Sequence, residues 1–314
     1  MTGVVVKTTG SWVTVRLSED SGGATTVDCK VRGTLRQRGL RCTNPVAVGD
    51  IVTVQAADST PMVSAVEPRR NYIIRRASNL SKEFQIIAAN VDQAVLVATL
   101  ATPLTSTTFI DRFLATAQAY RVPALLAINK IDLLAGDDDQ QLLEAVRHLY
   151  ETIGYPVVAL STVTGEGLDD LRHALNGKLS LLAGNSGVGK SSIINSLVPD
   201  AALRVGDVSQ AHHKGMHTTT FSQMIDLPDG GAIIDSPGVK AWGVIDFERS
   251  EAGHYFPEIF AASRECRFTN CTHTHEPGCA VIDAVQNGYI AQSRYASYIS
   301  ILDEDPHDKY RKGH

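Results

Sequence analysis

Leu181 to Leu197 reads LLAGNSGVGKSSIINSL. Apolar Leu181, Leu182 and Ala183 close a strand-like run, Gly184-x-x-x-x-Gly189-Lys190-Ser191 follows, and Ile193, Ile194 and Leu197 recur at helical spacing. A strand, a glycine-rich turn and a helix start are the setting of a phosphate-binding loop. Gly184, Gly187 and Gly189 let the backbone approach phosphate oxygens, and the helix start offers unpaired N–H groups at the positive end of its dipole. Asn185, Ser186, Val188 and Ser192 complete this nucleotide loop. Lys190 is expected to reach the β- and γ-phosphates, and the Ser191 hydroxyl to ligate Mg2+.

The base is read upstream. Ala124 to Ala127 end an apolar run that leads into Asn129-Lys130-Ile131-Asp132. An Asn-Lys-x-Asp segment after a buried strand selects guanine in GTPases. Its carboxylate accepts from N1–H and the exocyclic amine together, a donor pair adenine lacks, and leaving such a buried polar site unmatched is costly. Asn129 is expected to hold the base edge and tie loops together, with the Lys130 stem over the ring. After a further strand at Val157 to Leu160, the loop Ser161-Thr162-Val163-Thr164-Gly165 is expected to offer a backbone N–H to the guanine oxygen.

The remaining parts follow the phosphate loop. Asp235-Ser236-Pro237-Gly238 ends a strand at Ala232 to Ile234, placing Asp235 near Mg2+ through water and the Gly238 N–H toward the γ-phosphate. Val205 to Thr220 is polar and ends His217-Thr218-Thr219-Thr220, where Thr219 is expected to close on Mg2+ in the GTP state. The order is therefore base reader, base loop, phosphate loop, first switch, second switch. Ordinary GTPases begin with the phosphate loop, so the chain reads as circularly permuted. Rotation of the order is compatible with a parallel sheet, because ligand loops need only share one edge of strand ends.

A length of 314 residues gives room for two or three domains. No apolar run reaches membrane-spanning length and MTGVVVKTTGSW lacks a signal-peptide pattern, so the expectation is a soluble cytoplasmic protein with no membrane partner. Five cysteines, three clustered late, argue against a disulfide framework, and Cys29 and Cys42 read as plain thiols. Net charge is −5, yet residues 1–82 hold 12 Lys/Arg against 6 Asp/Glu while the remainder is acidic. A basic module on an acidic body suits a polyanion partner.

The fold class expected is multi-domain. Residues 1–66 carry β-rich runs at Val4 to Val6, Trp12 to Val15, Thr26 to Cys29 and Ile51 to Val54, which suit an all-β barrel of OB type that binds RNA. Trp12 is read there as core, with the contact made by arginines such as Arg32 and Arg36. Residues 67–83 read as a basic linker. Residues 84–245 alternate strand and helix and form a doubly wound, mainly parallel P-loop α/β domain. Residues 246–314 form a mainly helical domain holding Cys266-x4-Cys271-x-His273-x5-Cys279, three thiolates and an imidazole suited to one structural tetrahedral Zn2+, with His275 as rival for His273.

The permuted order, the GNSGVGKSS, NKID, DSPG and HTTT segments, the basic β module and the Cys-Cys-His-Cys site together resemble the ribosome small-subunit-dependent GTPase A family over essentially the whole chain. The resemblance implies GTP hydrolysis stimulated by the small (30S) ribosomal subunit late in its maturation, GTP and GDP as substrate and product, and contacts to 16S rRNA by barrel and zinc domain. It implies nucleotide binding at Asn129 to Asp132 and Gly184 to Ser192, and zinc at Cys266, Cys271, His273 and Cys279, in a chain taken as a monomer. Met216 departs from the polar or basic residue frequent in relatives. The position that carries the water-orienting glutamine in Ras-like enzymes is Val239, so His217, beside the Mg2+ threonine, is the water-positioning residue expected. Val239 also keeps open an assembly factor that uses GTP only as a conformational ligand; a third reading acts on the large subunit.

Overall fold

The computed structural model describes residues 1–18, 25–32, 35, 44–55, 60–76, 84–201, 222–235 and 251–303. The expectations placed on Arg36, Cys42, Met216, His217, Thr219, Gly238 and Val239 lie outside these residues.

Alternating apolar residues build the N-terminal strands β1 (Thr2–Thr9), β2 (Trp12–Leu17), β3 (Thr26–Val31), β4 (Ile51–Gln55) and β5 (Met62–Val66). They pair in the order β1-β2-β3-β5-β4, and β4 returns to β1, so five strands close a barrel around Val5, Val15, Cys29, Val52 and Val63. Closure leaves no open edge over most of the strands. Trp12, expected in this core, is 39% exposed. The period-two alternation that turns Val13, Val15 and Leu17 inward turns Trp12 outward.

The stretch read as a basic linker contains a strand. β6 (Tyr72–Arg76) pairs antiparallel with β7 (Phe84–Ala89), and Ile73 and Ile86 are buried. Arg69 is no free phosphate-seeking cation. Its guanidinium grips the buried Asp50 carboxylate at 2.6 Å through both Nε and an Nη, and donates to Pro45 O. Arg70 pairs with Asp92 at 2.6 Å on the surface.

Beyond the hairpin come β8 (Gln93–Ala98), α1 (Thr107–Ala119), β9 (Ala124–Asn129), α2 (Asp137–Ile153), β10 (Val157–Leu160), α3 (Leu168–Leu175), β11 (Leu179–Ala183), α4 (Lys190–Leu197), β12 (Ser222–Asp226) and β13 (Ala232–Asp235). The strand order is β10-β9-β8-β11-β13-β12, parallel except for β12. Alternate residues of each central strand feed opposite layers. Leu96, Leu126 and Leu181 pack under α1 and α2, while Val95, Leu125 and Leu182 pack under α3 and α4. Both faces of the sheet are therefore covered, which is what near-continuous apolar strands require. Asp137, Asp138 and Asp139 form the first turn of α2, where the helix dipole favours acids.

Two seams hold the barrel and the C-terminal helices to this domain. β12 pairs antiparallel with β1, Lys7 opposite Gln223 and Thr8 opposite Ser222, so eleven strands among the described residues run as one sheet. On the other side α5 (Pro257–Ser263), α6 (Ala280–Gln286) and α7 (Gln292–Leu302) form a small helical body packed on α1 through Phe256, Ile259, Tyr298 and Ala115. At its centre Arg294, fully buried, donates to Asp111 of α1 at 2.8 Å and to Glu258 of α5 at 2.7 and 3.2 Å. The Tyr150 hydroxyl of α2 also donates to Asp111 at 2.8 Å, and Phe256 lies under the guanidinium with its ring centroid 4.6 Å away. Burial raises the Tyr150 hydroxyl's pKa far above its ordinary value, and the Asp111 charge adds to this, so the phenol stays a donor.

Removing Arg294 would strand two carboxylates in an apolar seam. Arg294→Ala is expected to lower stability by about 3–5 kcal/mol, whereas Arg70→Ala, at an exposed pair, should cost less than about 1 kcal/mol. Urea-unfolding midpoints of the two variants check this.

Candidate functional site

The parallel strands bring the signature residues to one edge. Asn129 ends β9, Asp235 ends β13, and the phosphate loop leaves β11 at Ala183. Leu160 is the register partner of Asn129, and Leu182 that of Asp235. Sequence separation is thereby converted into adjacency.

The loop itself is shaped by glycines. Gly187 and Gly189 sit at φ +81° and +98°, in the left-handed region. A Cβ on Gly189 would lie 2.3 Å from Asn129 Nδ2, so only glycine lets the two segments meet. Asn129 Nδ2 donates to Val188 O at 2.8 Å, tying the end of β9 to the glycine-rich loop. Its Oδ1 is buried without a partner among the described residues. The α4 N-terminus carries no side-chain cap, and the start of a helix is a place suited to an anion. Lys190 Nζ lies across the loop, donating to Gly184 O at 2.7 Å and Asn185 O at 2.6 Å. Ser191 and Ser192 occupy the first turn of α4, half-buried, and Ser186 is exposed at the loop tip.

On the base side Lys130 adopts φ +65° and its ammonium donates to Thr102 O at 2.9 Å. Ile131, half-buried, begins a 3-10 turn that carries the exposed Asp132. The Ser161 hydroxyl donates to Asp132 Oδ1 and accepts from the N–H groups of Val163 and Thr164. The Ser161 N–H donates to Glu166 O at 2.9 Å and is not free for a ligand. Its hydroxyl orients the Asp132 carboxylate instead. The Thr102 carbonyl had no signal in the sequence, since any residue supplies one.

Burial pushes the Asp235 carboxyl above its ordinary pKa, and the Lys190 ammonium pulls the other way. A divalent cation beside it would add to the second influence and favour the ionised form.

A second centre lies in the C-terminal body. Cys266, Cys271, His273 and Cys279 bring their ligand atoms within 4.8 Å of one another. Cys266 Sγ to Cys279 Sγ is 3.9 Å, and His273 Nδ1 lies 3.6 and 3.5 Å from those sulfurs. Tetrahedral zinc geometry calls for S···S near ~3.8 Å and S···N near ~3.5 Å, so the four fit one ion. His275, the rival ligand, is exposed and faces Thr274 Oγ1 at 2.8 Å. Burial lowers the His273 pKa, with Glu276 opposing, which favours the neutral imidazole that a metal binds. Glu276 was missed by the sequence reading. Its carboxylate accepts from Thr272 N at 2.6 Å, Thr274 N at 3.0 Å and His275 N at 3.2 Å, bracing the left-handed turn at His273, where φ is +59°. Burial would raise its pKa, but these bonds and the Thr272 hydroxyl outweigh that and hold it far below the usual carboxylate range.

Comparison with known proteins agrees with this geometry. The RsgA GTPase model matches residues 66–245, and the RsgA N-terminal domain model matches residues 2–61. A small ribosomal subunit biogenesis GTPase RsgA of Porphyromonas gingivalis is 58% identical over 317 residues, covering 99% of each chain. The protein of the same name from Phocaeicola vulgatus is 51% identical, again over 99% of each chain. Among solved structures, YjeQ from Thermotoga maritima superposes with a TM-score of 0.75 at 35% identity, over 96% of each chain. YloQ, described as a circularly permuted GTPase, superposes with a TM-score of 0.74 at 31% identity over 100% of this chain and 96% of its own. Matched end to end by such relatives, the chain belongs to the RsgA GTPase family and is a GTP-hydrolysing enzyme.

Proposed function

We propose that the chain hydrolyses GTP on the small (30S) ribosomal subunit, late in that subunit's maturation, with 16S rRNA as its contact and the subunit as stimulant. The observation that carries this is the Asn129–Val188 bond, which joins a guanine reader to a phosphate loop in a chain whose relatives are named for small-subunit biogenesis. Asp132, steadied by Ser161, accepts from N1–H and the exocyclic amine of guanine, and Lys130 covers the ring. The N–H groups from Gly187 to Ser192 and the Lys190 ammonium hold the phosphates. Ser191 and Thr219, with Asp235 through water, would hold Mg2+, and the Gly238 N–H would serve the γ-phosphate. Mg2+ would supply charge neutralisation on the phosphates when bound. His217 positions the attacking water when the subunit is bound. The C-terminal cluster holds one Zn2+, which serves as a structural pin. Cytoplasmic location and a monomeric state complete the reading.

Titrating GTPase activity with purified 30S and 50S subunits tests the assignment: turnover should rise with 30S alone. Stimulation by 50S, or by neither, would overturn it. Asp132→Asn replaces one acceptor oxygen by a donor amide facing the guanine donors, and should weaken GTP at least about a hundredfold while xanthosine triphosphate binding improves. Nucleotide competition assays read this. His217→Ala should depress subunit-stimulated turnover about tenfold or more with GDP affinity unchanged. A strong chelator should release one zinc per chain and collapse the near-ultraviolet dichroism of the Tyr295 and Tyr298 environment, since those hydroxyls donate to His273 O and Thr272 O at 2.7 and 2.8 Å.

A further inference from the structure

The outer face of β1, β2 and β3 carries a hollow that the nucleotide site does not use. A bulge in β1 between Val5 and Lys7 turns Lys7 outward, opposite Thr14. Lys7, Thr9, Trp12, Thr14 and Asp28 wall the resulting hollow, about 380 Å³ in volume. The indole of Trp12 is exposed there, and Lys30, its register partner on β3, stands with Nζ 5.1 Å from the ring centroid. The Thr14 hydroxyl donates to Asp28 Oδ1 at 2.6 Å, leaving Oδ2 to accept.

At this hollow a large, partly exposed aromatic ring stands beside two ammonium groups and a carboxylate. Each part has a counterpart in one ligand class. An indole stacks a base of any sequence, ammonium groups hold the flanking phosphates, and a carboxylate accepts from an exocyclic amine. An acidic peptide would use the lysines but neither the ring nor Asp28.

We infer that this hollow is a subsite for an unpaired nucleobase of single-stranded RNA, stacked on Trp12, with its phosphates on Lys7 and Lys30. The inference rests on the reading above that RNA is the partner, and deepens it by naming the chemistry of one contact. The position also has a consequence for the nucleotide. Leu182, Asp235, Gln223, Lys7, Thr14 and Asp28 are successive register partners across β11, β13, β12, β1, β2 and β3. The base subsite and the Asp235 carboxylate thus share one row of a continuous sheet.

The test uses the full chain carrying Trp242→Phe, which leaves Trp12 as the one tryptophan. A short single-stranded oligoadenylate should quench its fluorescence, and a duplex RNA of equal length should not. In the otherwise native chain, Trp12→Ala should weaken binding of labelled oligoadenylate about tenfold and Trp12→Phe by less than about threefold. Trp12→Ala should also raise the 30S concentration needed for half-maximal GTPase stimulation while GDP affinity holds, which shows that the variant is folded. No quenching, equal quenching by duplex, or a Trp12→Ala chain that binds like the parent would overturn the inference; quenching by an acidic peptide in place of RNA would do the same. A native chain that 30S fails to stimulate sinks the functional reading. A native chain that is stimulated, with Trp12→Ala indistinguishable from it, sinks the base subsite alone.

Discussion

Five parallel strands that stop at a common edge are the constraint behind the whole nucleotide site. The Asn129 segment and the glycine-rich loop 55 residues later meet only because β9 and β11 flank β8 and all three point the same way. The Asn129–Val188 bond and the steric demand at Gly189 then hold the two loops at fixed separation. Nothing in this depends on which strand the chain visits first. A rotated sequence therefore keeps the chemistry, while changing which elements are covalent neighbours of the switches.

The two seams differ in kind. The barrel is joined through backbone pairing between β1 and β12, whose groups would otherwise be exposed at an edge. The C-terminal body is joined through charge, with Arg294 shared between Asp111 and Glu258 inside an apolar surround. Such a buried triad adds little net stability over an apolar seam of the same shape, because desolvation offsets most of the attraction. What it specifies is geometry: the guanidinium meets its partners in a narrow range of approach angles, so α7 can seat on α1 in few registers.

Elements with a local pattern were legible in the sequence. Apolar periodicity disclosed the central strands and helices, and the spacing of Asn129 to Asp132, Gly184 to Ser191 and Cys266 to Cys279 disclosed which residues would gather. Pairings between distant segments left no such trace. Asp111 and Arg294 stand 183 residues apart, and nothing in either neighbourhood announces the other. In the stretch after Glu67 four arginines hid the strand around Ile73, because their charge suggested solvent where one of them, Arg69, was buried on Asp50. Trp12 shows the opposite error. Its size argued for the core, but the alternation with Val13 and Val15 had already placed it on the outside. Where a general preference and a local period disagree, the period has the firmer physical basis, since backbone pleat allows no compromise.

The join between β1 and β12 has a consequence for the order of synthesis. β1 can pair with β2 and β4 as soon as the barrel is translated, yet its register partners at Lys7 and Thr8 emerge more than two hundred residues later. Until then that end of the strand is an open template for any passing chain. Lys7 places an ammonium group on this edge, and a lysine there discourages edge-to-edge pairing with strangers. The nascent barrel thus waits behind its own gatekeeper until the late strand arrives to cover it.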